Sequence, residues 1–409
     1  MKRSQFALKT FREAPKDADS KNARFLERGG YINKLMAGVY SFLPLGLRVM
    51  RNLEDIIREE MDGIGGQELF LPVLGPKENW QKSGRYEDLD ILYKMDTVDE
   101  KQIVLNPTHE EIIVPLVKSM ISSYNDLPLY LYQIQDKFRN EKRAKSGLLR
   151  GREFMMKDLY SFHINESDLD DYYEKMSRVY AKIFSRAGIG EKTILTFASG
   201  GTFSKYSHEF QTLSENGEDT IYLCEKCNVA VNKEIIDEHN YCPNCKSADL
   251  IEKSAIEVGN IFKLRTKYSK PFELKVANQK GETKEVEMGC YGIGISRLMA
   301  TIVEVTAGEG KIVWPEEVAP FKVQLISLGR NVEANELYET AYNDKQNILY
   351  DDRDDISAGE KFAEADLIGS PVRIIISDKS LSAGGAEVID HQKGRTTIVP
   401  LDKVLVRID

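Results

Sequence analysis

The chain has 409 residues, 42% of them hydrophobic and 30% charged, with a net charge of −9. That length holds two or three domains with real cores, and the balance is that of a globular protein in water. The negative charge excludes a surface built wholly for nucleic acid, although it leaves room for local basic patches. The N-terminal stretch has no continuous apolar segment of the signal-peptide kind, and no run approaches the ~20 apolar residues of a membrane helix. The expectation is a cytoplasmic protein with no membrane contact. Four of five cysteines stand at metal-ligand spacing, which suits a reducing compartment.

Taken in order, residues 25–32 read as a helix ending at the Gly29-Gly30 turn. Leu45, Val49, Leu53, Ile56, Ile57 and Met61 recur at helical spacing, with Arg51, Glu54, Arg58 and Glu59 opposite. Gly63, Gly65 and Gly66 break that helix, and residues 68–74 read as a buried strand. Ser83-Gly84-Arg85 follows, then a strand over 102–105 and the sequence Asn106-Pro107-Thr108-His109-Glu110-Glu111. Thr108 and the two carboxylates suit the positive end of a helix. His109 has no ligand-type partner nearby and is read as structural.

Residues 130–134 and 152–156 alternate as two strands around a charged loop. Between 137 and 157 there are eight Lys or Arg against two Glu. Such a hairpin suits phosphate, because arginine offers planar bidentate donors and lysine a point charge. Residues 166–188 are strongly periodic, with Ser167 as the expected cap and Gly188 as the stop. A glycine turn, 199–202, precedes Ser207-His208-Glu209-Phe210. Cys224 and Cys227, then Cys242 and Cys245, form two CxxC knuckles that read as a zinc ribbon with four thiolates and no open position. His239 lies in the knuckle loop as a less favoured ligand. Residues 256–262 return to a strand. Glu287 to Gly294 then leads through glycines into a helix carrying Arg297. Trp314-Pro315 and Pro320 mark a linker. Beyond it strands at 322–328, 347–350 and 372–376 alternate with helices from Glu333 and over 358–365, which predicts a small mixed α/β domain.

The order Phe138-Arg139-Asn140-Glu141, basic loop, Arg152-Glu153-Phe154 resembles motif 2 of the class II aminoacyl-tRNA synthetases. Through MKDLYSFH it is most similar to the bacterial prolyl-tRNA synthetases. The resemblance spans almost the whole chain. The helix from Leu45 to Met61 and the stretch 68–74 with Pro72 resemble motif 1, and residues 287–298 match motif 3. It implies an α+β fold: an antiparallel-sheet catalytic domain (1–220 and 253–319), a zinc-knuckle insertion (221–252) and a C-terminal mixed α/β anticodon-binding domain (320–409).

The resemblance also implies roles. Arg139 and Arg297 would be catalytic, and ATP would meet Arg139, Glu141, Arg152, Phe154 and Arg297, with Mg²⁺. Proline would meet Thr108, Glu110, Arg139, His163, His208, Glu209, Phe210, Cys290 and Gly292. Cys290 is read as small pocket lining. tRNA(Pro) would meet Lys142, Arg143, Lys145, Asp352, Arg353 and Lys361. Motif 1 implies a homodimer. Asn260 departs from the family, where His is usual. Most bacterial relatives carry a large editing domain between motifs 2 and 3. Here only the knuckle fills that interval, so no editing in cis is expected and a separate editing protein would follow. Three alternatives stand beside this reading. One is a threonyl enzyme, which would need zinc in its amino-acid pocket. Another is a catalytically silent paralogue acting as a tRNA-binding or accessory protein, which would usually lack the motif arginines. The third is a zinc-ribbon nucleic-acid module, which would leave motifs 1 to 3 unexplained.

Overall fold

The computed structural model describes residues 1–277 and 281–405. They fall into two compact units. One comprises Met36–Val39 and Glu54–Thr301, and the other Met1–Leu35, Tyr40–Leu53 and Ile302–Asp409.

The first unit is built on a nine-stranded sheet, antiparallel except at two pairings. The charged hairpin lies in it as Leu129–Phe138 paired with Glu153–His163, with Gln133 opposite Asp158 and Lys137 opposite Phe154. Glu287–Gly294 comes next, setting Gly292 opposite Asp158, and Ile251–Arg265 follows, with Asn260 opposite Gly292. Side chains alternate across a strand. Phe154, Met156 and Asp158 therefore share one face with Cys290, Gly292 and Gly294, and that face floors a cleft. The helix Glu166–Arg186 packs on the other face and buries Leu169, Tyr172, Tyr173, Met176, Tyr180, Ile183 and Phe184. Its cap is Asn165, whose side chain accepts the Asp168 N–H, rather than the expected Ser167. Ser167 already stands inside the first turn.

Past Ile251–Arg265 the sheet closes on itself. Tyr206–Leu213 pairs with both Ile251–Arg265 and Thr193–Ser199, and the pairing returns through Val229–Asn232 and Asp219–Cys224. Ile194, Ile221, Leu223, Ala230 and Ala255 fill this five-stranded ring. The stretch 221–252 thus supplies strands to the main sheet as well as the cysteines.

One expected element is corrected. Residues 68–74 are not one buried strand: Glu68 pairs at one end, with Leu129–Phe138, Leu74 at the other, with Gln102–Leu105, and Phe70 between them is 79% exposed. Pro72 has no N–H to give a ladder. Side chains hold the segment instead, Gln133 Oε1 accepting from the Leu71 N–H and Gln135 Nε2 donating to the Leu71 carbonyl.

Beneath the helix, Lys157 is fully buried, its ammonium donating to Tyr180 Oη at 2.6 Å and to the Tyr291 carbonyl at 3.1 Å. Burial pulls this ammonium down to about 7, against ~10.4 in an unfolded chain. Between those values the unfolded chain binds the extra proton, so this site makes stability rise with pH from about 7 to about 10. Lys157→Met is expected to remove that rise, read as the difference between variant and parent in urea midpoint across the range.

In the second unit, Val323–Leu328 lies parallel to Ile348–Asp351 and Val372–Ser377, and a hairpin, Ala386–Asp390 with Arg395–Val399, extends the sheet antiparallel. The helices Asn331–Asn343 and Ala358–Ile368 match the expected alternation. The second helix opens on a Ser357–Glu360 capping box and stops at Gly369, whose φ of +70° favours glycine. Sequence periodicity did not reveal the hairpin, because most of its residues are half-buried or exposed and its two faces are not cleanly separated. No helix of the described residues is long and apolar enough to cross a membrane.

Candidate active site

The cleft over the sheet brings together Thr108, Arg139, Glu141, Phe154, Cys290, Gly292 and Arg297, all singled out in the sequence. Arg139 leaves the end of one hairpin strand and its guanidinium lies 5.1 Å from the centre of the Phe154 ring. Its Nε is buried without a hydrogen-bond partner. Burial, and then the like charge of Arg297, pull the Arg139 guanidinium below its ordinary range. Arg297 starts the helix Ile295–Thr306 and is held by the Leu149 carbonyl at 2.9 Å and by Glu257, through its carbonyl at 3.0 Å and its carboxylate at 3.2 Å. Two arginines with free hydrogen-bonding capacity, one of them unpaired, make an anion receptor. Gly292 leaves the floor flat, since a Cβ there would run into the Met156 methyl.

At the other end Thr108 Oγ1 donates to Glu110 Oε2 at 2.6 Å rather than capping the helix Glu110–Met120, whose cap position is His109. Glu110 has no exposed surface, and the Cys290 thiol donates to its other oxygen at 3.3 Å. Burial, then the charges of Glu110 and Asp158, push the Cys290 thiol far up, so it is no nucleophile. His109 is packed away, its Nε2 meeting the Pro72 carbonyl at 3.1 Å and its backbone N–H the Tyr160 hydroxyl at 3.0 Å.

Other expected residues lie off this lining. Arg152 braces the hairpin loop, its Nε donating to the Glu141 carbonyl at 3.0 Å. His163 is buried beside Tyr130 and Tyr172, and its Nδ1 meets Asp168 at 2.7 Å. His208 and Phe210 face the helix side of the sheet. His208 Nδ1 lies 2.7 Å from the Tyr173 hydroxyl, and burial lowers its imidazole to about 4. Glu209 points the other way and accepts from Gln211, Asn232 and Asn260. Asn260 itself lines the cleft, so Glu209 reaches it through that amide. Lys142, Arg143 and Lys145 are exposed on the loop, Lys142 near Asp90 and Lys145 near Glu218. In the other unit Asp352 accepts from Ser4, Arg353 pairs with Asp351 and Glu364, and Lys361 is buried with its ammonium on the Ser327 carbonyl.

Some cleft residues were missed in the sequence. Asp158 follows Phe154 at the two-residue period of a strand, a signal that was present. It is buried and paired with Lys137 at 2.7 Å. Burial works against its ionisation, but Lys137 and His109 outweigh it and hold the carboxyl down. Arg150 pairs with Glu141 at 2.8 Å, and Glu257 anchors Arg297. Neither had a local signal, because their roles depend on which loop meets which strand.

The four knuckle sulfurs lie within 4.8 Å of one another, and Cys224 Sγ and Cys245 Sγ are 3.7 Å apart. Tetrahedral Zn–S bonds of ~2.3 Å require sulfurs about 3.8 Å apart. The donor set fits a structural zinc. His239 packs on the Tyr206 ring, outside the set.

Residues 93–306 match the family described as tRNA synthetase class II core domain (G, H, P, S and T), and residues 322–409 match the family described as anticodon binding domain. A proline–tRNA ligase of Wolbachia from Brugia malayi is 39% identical over 99% of both chains. The chain belongs to the proline–tRNA ligase family. The Syntrophomonas wolfei proline–tRNA ligase is 34% identical over 100% of this chain and 98% of its own, in an alignment of 564 residues. That member therefore carries well over a hundred residues with no counterpart here. Outside these close members the class II fold persists. The Giardia lamblia prolyl-tRNA synthetase, solved in complex with prolyl-adenylate, superposes with a TM-score of 0.78 at 20% identity, covering 93% of this chain and 74% of that one.

Proposed function

We infer that this protein is a proline–tRNA ligase, which activates proline with ATP to prolyl-adenylate and transfers it to the 3′ end of tRNA(Pro). The single observation that carries the reading is the cleft, with Arg139 unpaired and Arg297 anchored at one end and Thr108 and Cys290 at the other, both bonded to the buried Glu110 carboxylate behind them. An amino acid presents both charges those ends require. Arg139 takes the carboxylate and the α-phosphate, Arg297 the γ-phosphate, and Phe154 stacks on adenine, with Glu141 reading its amino group. Thr108 and Glu110 accept hydrogen bonds from the cationic nitrogen of proline, over a floor that includes Cys290 and Gly292. Catalysis is then positioning and stabilisation of charge at phosphorus. His163, His208 and Phe210 support the pocket from the helix side of the sheet, and Glu209 acts on it through Asn260.

Glu257 and Asp219 line a hollow beside Arg297, and one or two carboxylates with substrate phosphates suit Mg²⁺. Mg²⁺ would neutralise the triphosphate there. Zinc on the four cysteines would be structural. Lys142, Arg143 and Lys145 would meet the acceptor end of tRNA, and the second unit its anticodon. Asp352, Arg353 and Lys361 would shape that surface from beneath it. Exposed Phe70 and Leu74 flanking Pro72 support a homodimer through this segment. A proline pocket rejects smaller alanine by only ~1–3 kcal/mol, so a separate editing protein is expected, in a reducing cytoplasm. Charging of tRNA(Pro) transcripts with labelled proline tests the reading. Charging with proline supports it, and none from the folded, zinc-loaded protein would overturn it.

A further inference from the structure

Behind the Thr108 end of the cleft lies a buried cluster of charge of which the proposed chemistry uses only Glu110. Glu110 and Glu111 are adjacent, both without exposed surface, and between them stands one cation, Arg85, 7% exposed. A single nitrogen, Arg85 Nη1, lies 3.1 and 3.3 Å from the two oxygens of Glu111 and 3.5 Å from Glu110 Oε2. The guanidinium is fixed there by aromatic rings, Phe203 at 4.9 Å and Trp80 at 5.3 Å. Ser83 Oγ donates to Glu111 Oε1 at 2.7 Å, whereas the cleft residues Thr108 and Cys290 bond Glu110.

Two carboxylates against one guanidinium leave one net negative charge in a buried site. In such surroundings a charge is costly unless it is matched, and the match is strong when it comes. The substrate's cationic nitrogen is the missing charge. Which carboxylate keeps the negative charge depends on which one holds Arg85.

We propose that Glu111 is a positioning residue for the amino acid: by occupying Arg85 it leaves the charge of Glu110 free for the substrate's ammonium group. This rests on the assignment of Glu110 to the amino group of proline. Other ionisable groups facing Glu110 are Cys290 and the hydroxyls of Tyr160 and Tyr268, none of which supplies a cation. Burial raises the Glu111 carboxyl, and the Arg85 guanidinium is the largest influence opposing that rise.

The test is steady-state ATP–pyrophosphate exchange on the full chain, with KM for proline and for ATP measured separately. Glu111→Gln keeps shape and frees Arg85 to turn on Glu110. It is expected to raise the proline KM by about 10- to 100-fold, the worth of a buried charge-assisted bond, with the ATP KM unchanged. Adding Arg85→Gln to it removes the released cation and is expected to bring the proline KM back toward the parent value. A pair that merely filled space would lose more with each substitution, not recover. An unchanged proline KM in Glu111→Gln, or a double variant no better than the single, would overturn the proposal. Absence of proline-stimulated exchange in the parent protein would instead overturn the assignment of function beneath it.

Discussion

Arg139→Ala is expected to lower proline-dependent ATP–pyrophosphate exchange by about 1000-fold, the upper range for losing one preorganised donor to developing charge, and to do so without lowering the melting temperature. The second half of that expectation follows from its pairing. Arg139 is half-buried on the cleft wall, its Nε is buried with no partner, and Arg297 beside it carries the same charge. The carboxylates of Glu257 and Glu141 offset this only in part. A half-buried, incompletely paired charge costs stability, so its removal leaves the fold as stable as before or more so. Thermal unfolding measured beside the exchange rate separates the two halves. A large fall in melting temperature would mean that Arg139 holds the hairpin together rather than waiting for an anion.

Removal of metal should have the opposite character, with stability and activity lost together. Cys224 ends the strand Asp219–Cys224, and Cys227 and Asn228 turn the chain back into Val229–Asn232, their N–H groups both on the Cys224 carbonyl. Cys242 and Cys245 tie the following segment to that turn, with Val229 and Leu250 packed against them. Zinc at a site of this kind contributes on the order of 10 kcal/mol of folding free energy. Cys242→Ser, or a strong chelator, is therefore expected to melt the knuckle and loosen the five-stranded ring. That ring shares Ile251–Arg265 with the cleft, so Glu257 and Asn260 would lose their seats and exchange would fall too. Recovery of both on adding Zn²⁺ back to chelated protein confirms the link. Unchanged melting after chelation would show that the cysteines need no metal.

Much of this was legible in the sequence where a local pattern determines the outcome. The hairpin around Arg139 could be read because its strands alternate and its basic residues cluster between them, and the knuckle because two CxxC pairs at this spacing suit a tetrahedral metal site. The helix over 166–186 could be read from its apolar stripe, although its cap moved back to Asn165. What escaped depended on distant partners. Residues 68–74 look like a strand by composition, yet Pro72 and the grip of Gln133 and Gln135 replace the ladder. Arg353 and Lys361 look like exposed cations available to RNA, yet Asp351, Glu364 and the Ser327 carbonyl take them inward. Glu257 and Arg85 gave no signal, since their partners come from elsewhere in the chain. The closed ring of five strands was equally silent, because closure is a matter of pairing order and not of any one strand's residues.

The most direct measurement is ATP–pyrophosphate exchange by the purified protein with proline, alanine and threonine added in turn. Exchange stimulated chiefly by proline, weakly by alanine and not by threonine is the expected result, since the cleft pairs an anion receptor with a small buried amino site. Exchange with none of the three, from folded and zinc-loaded protein, would contradict the reading of the cleft as a place where proline is activated.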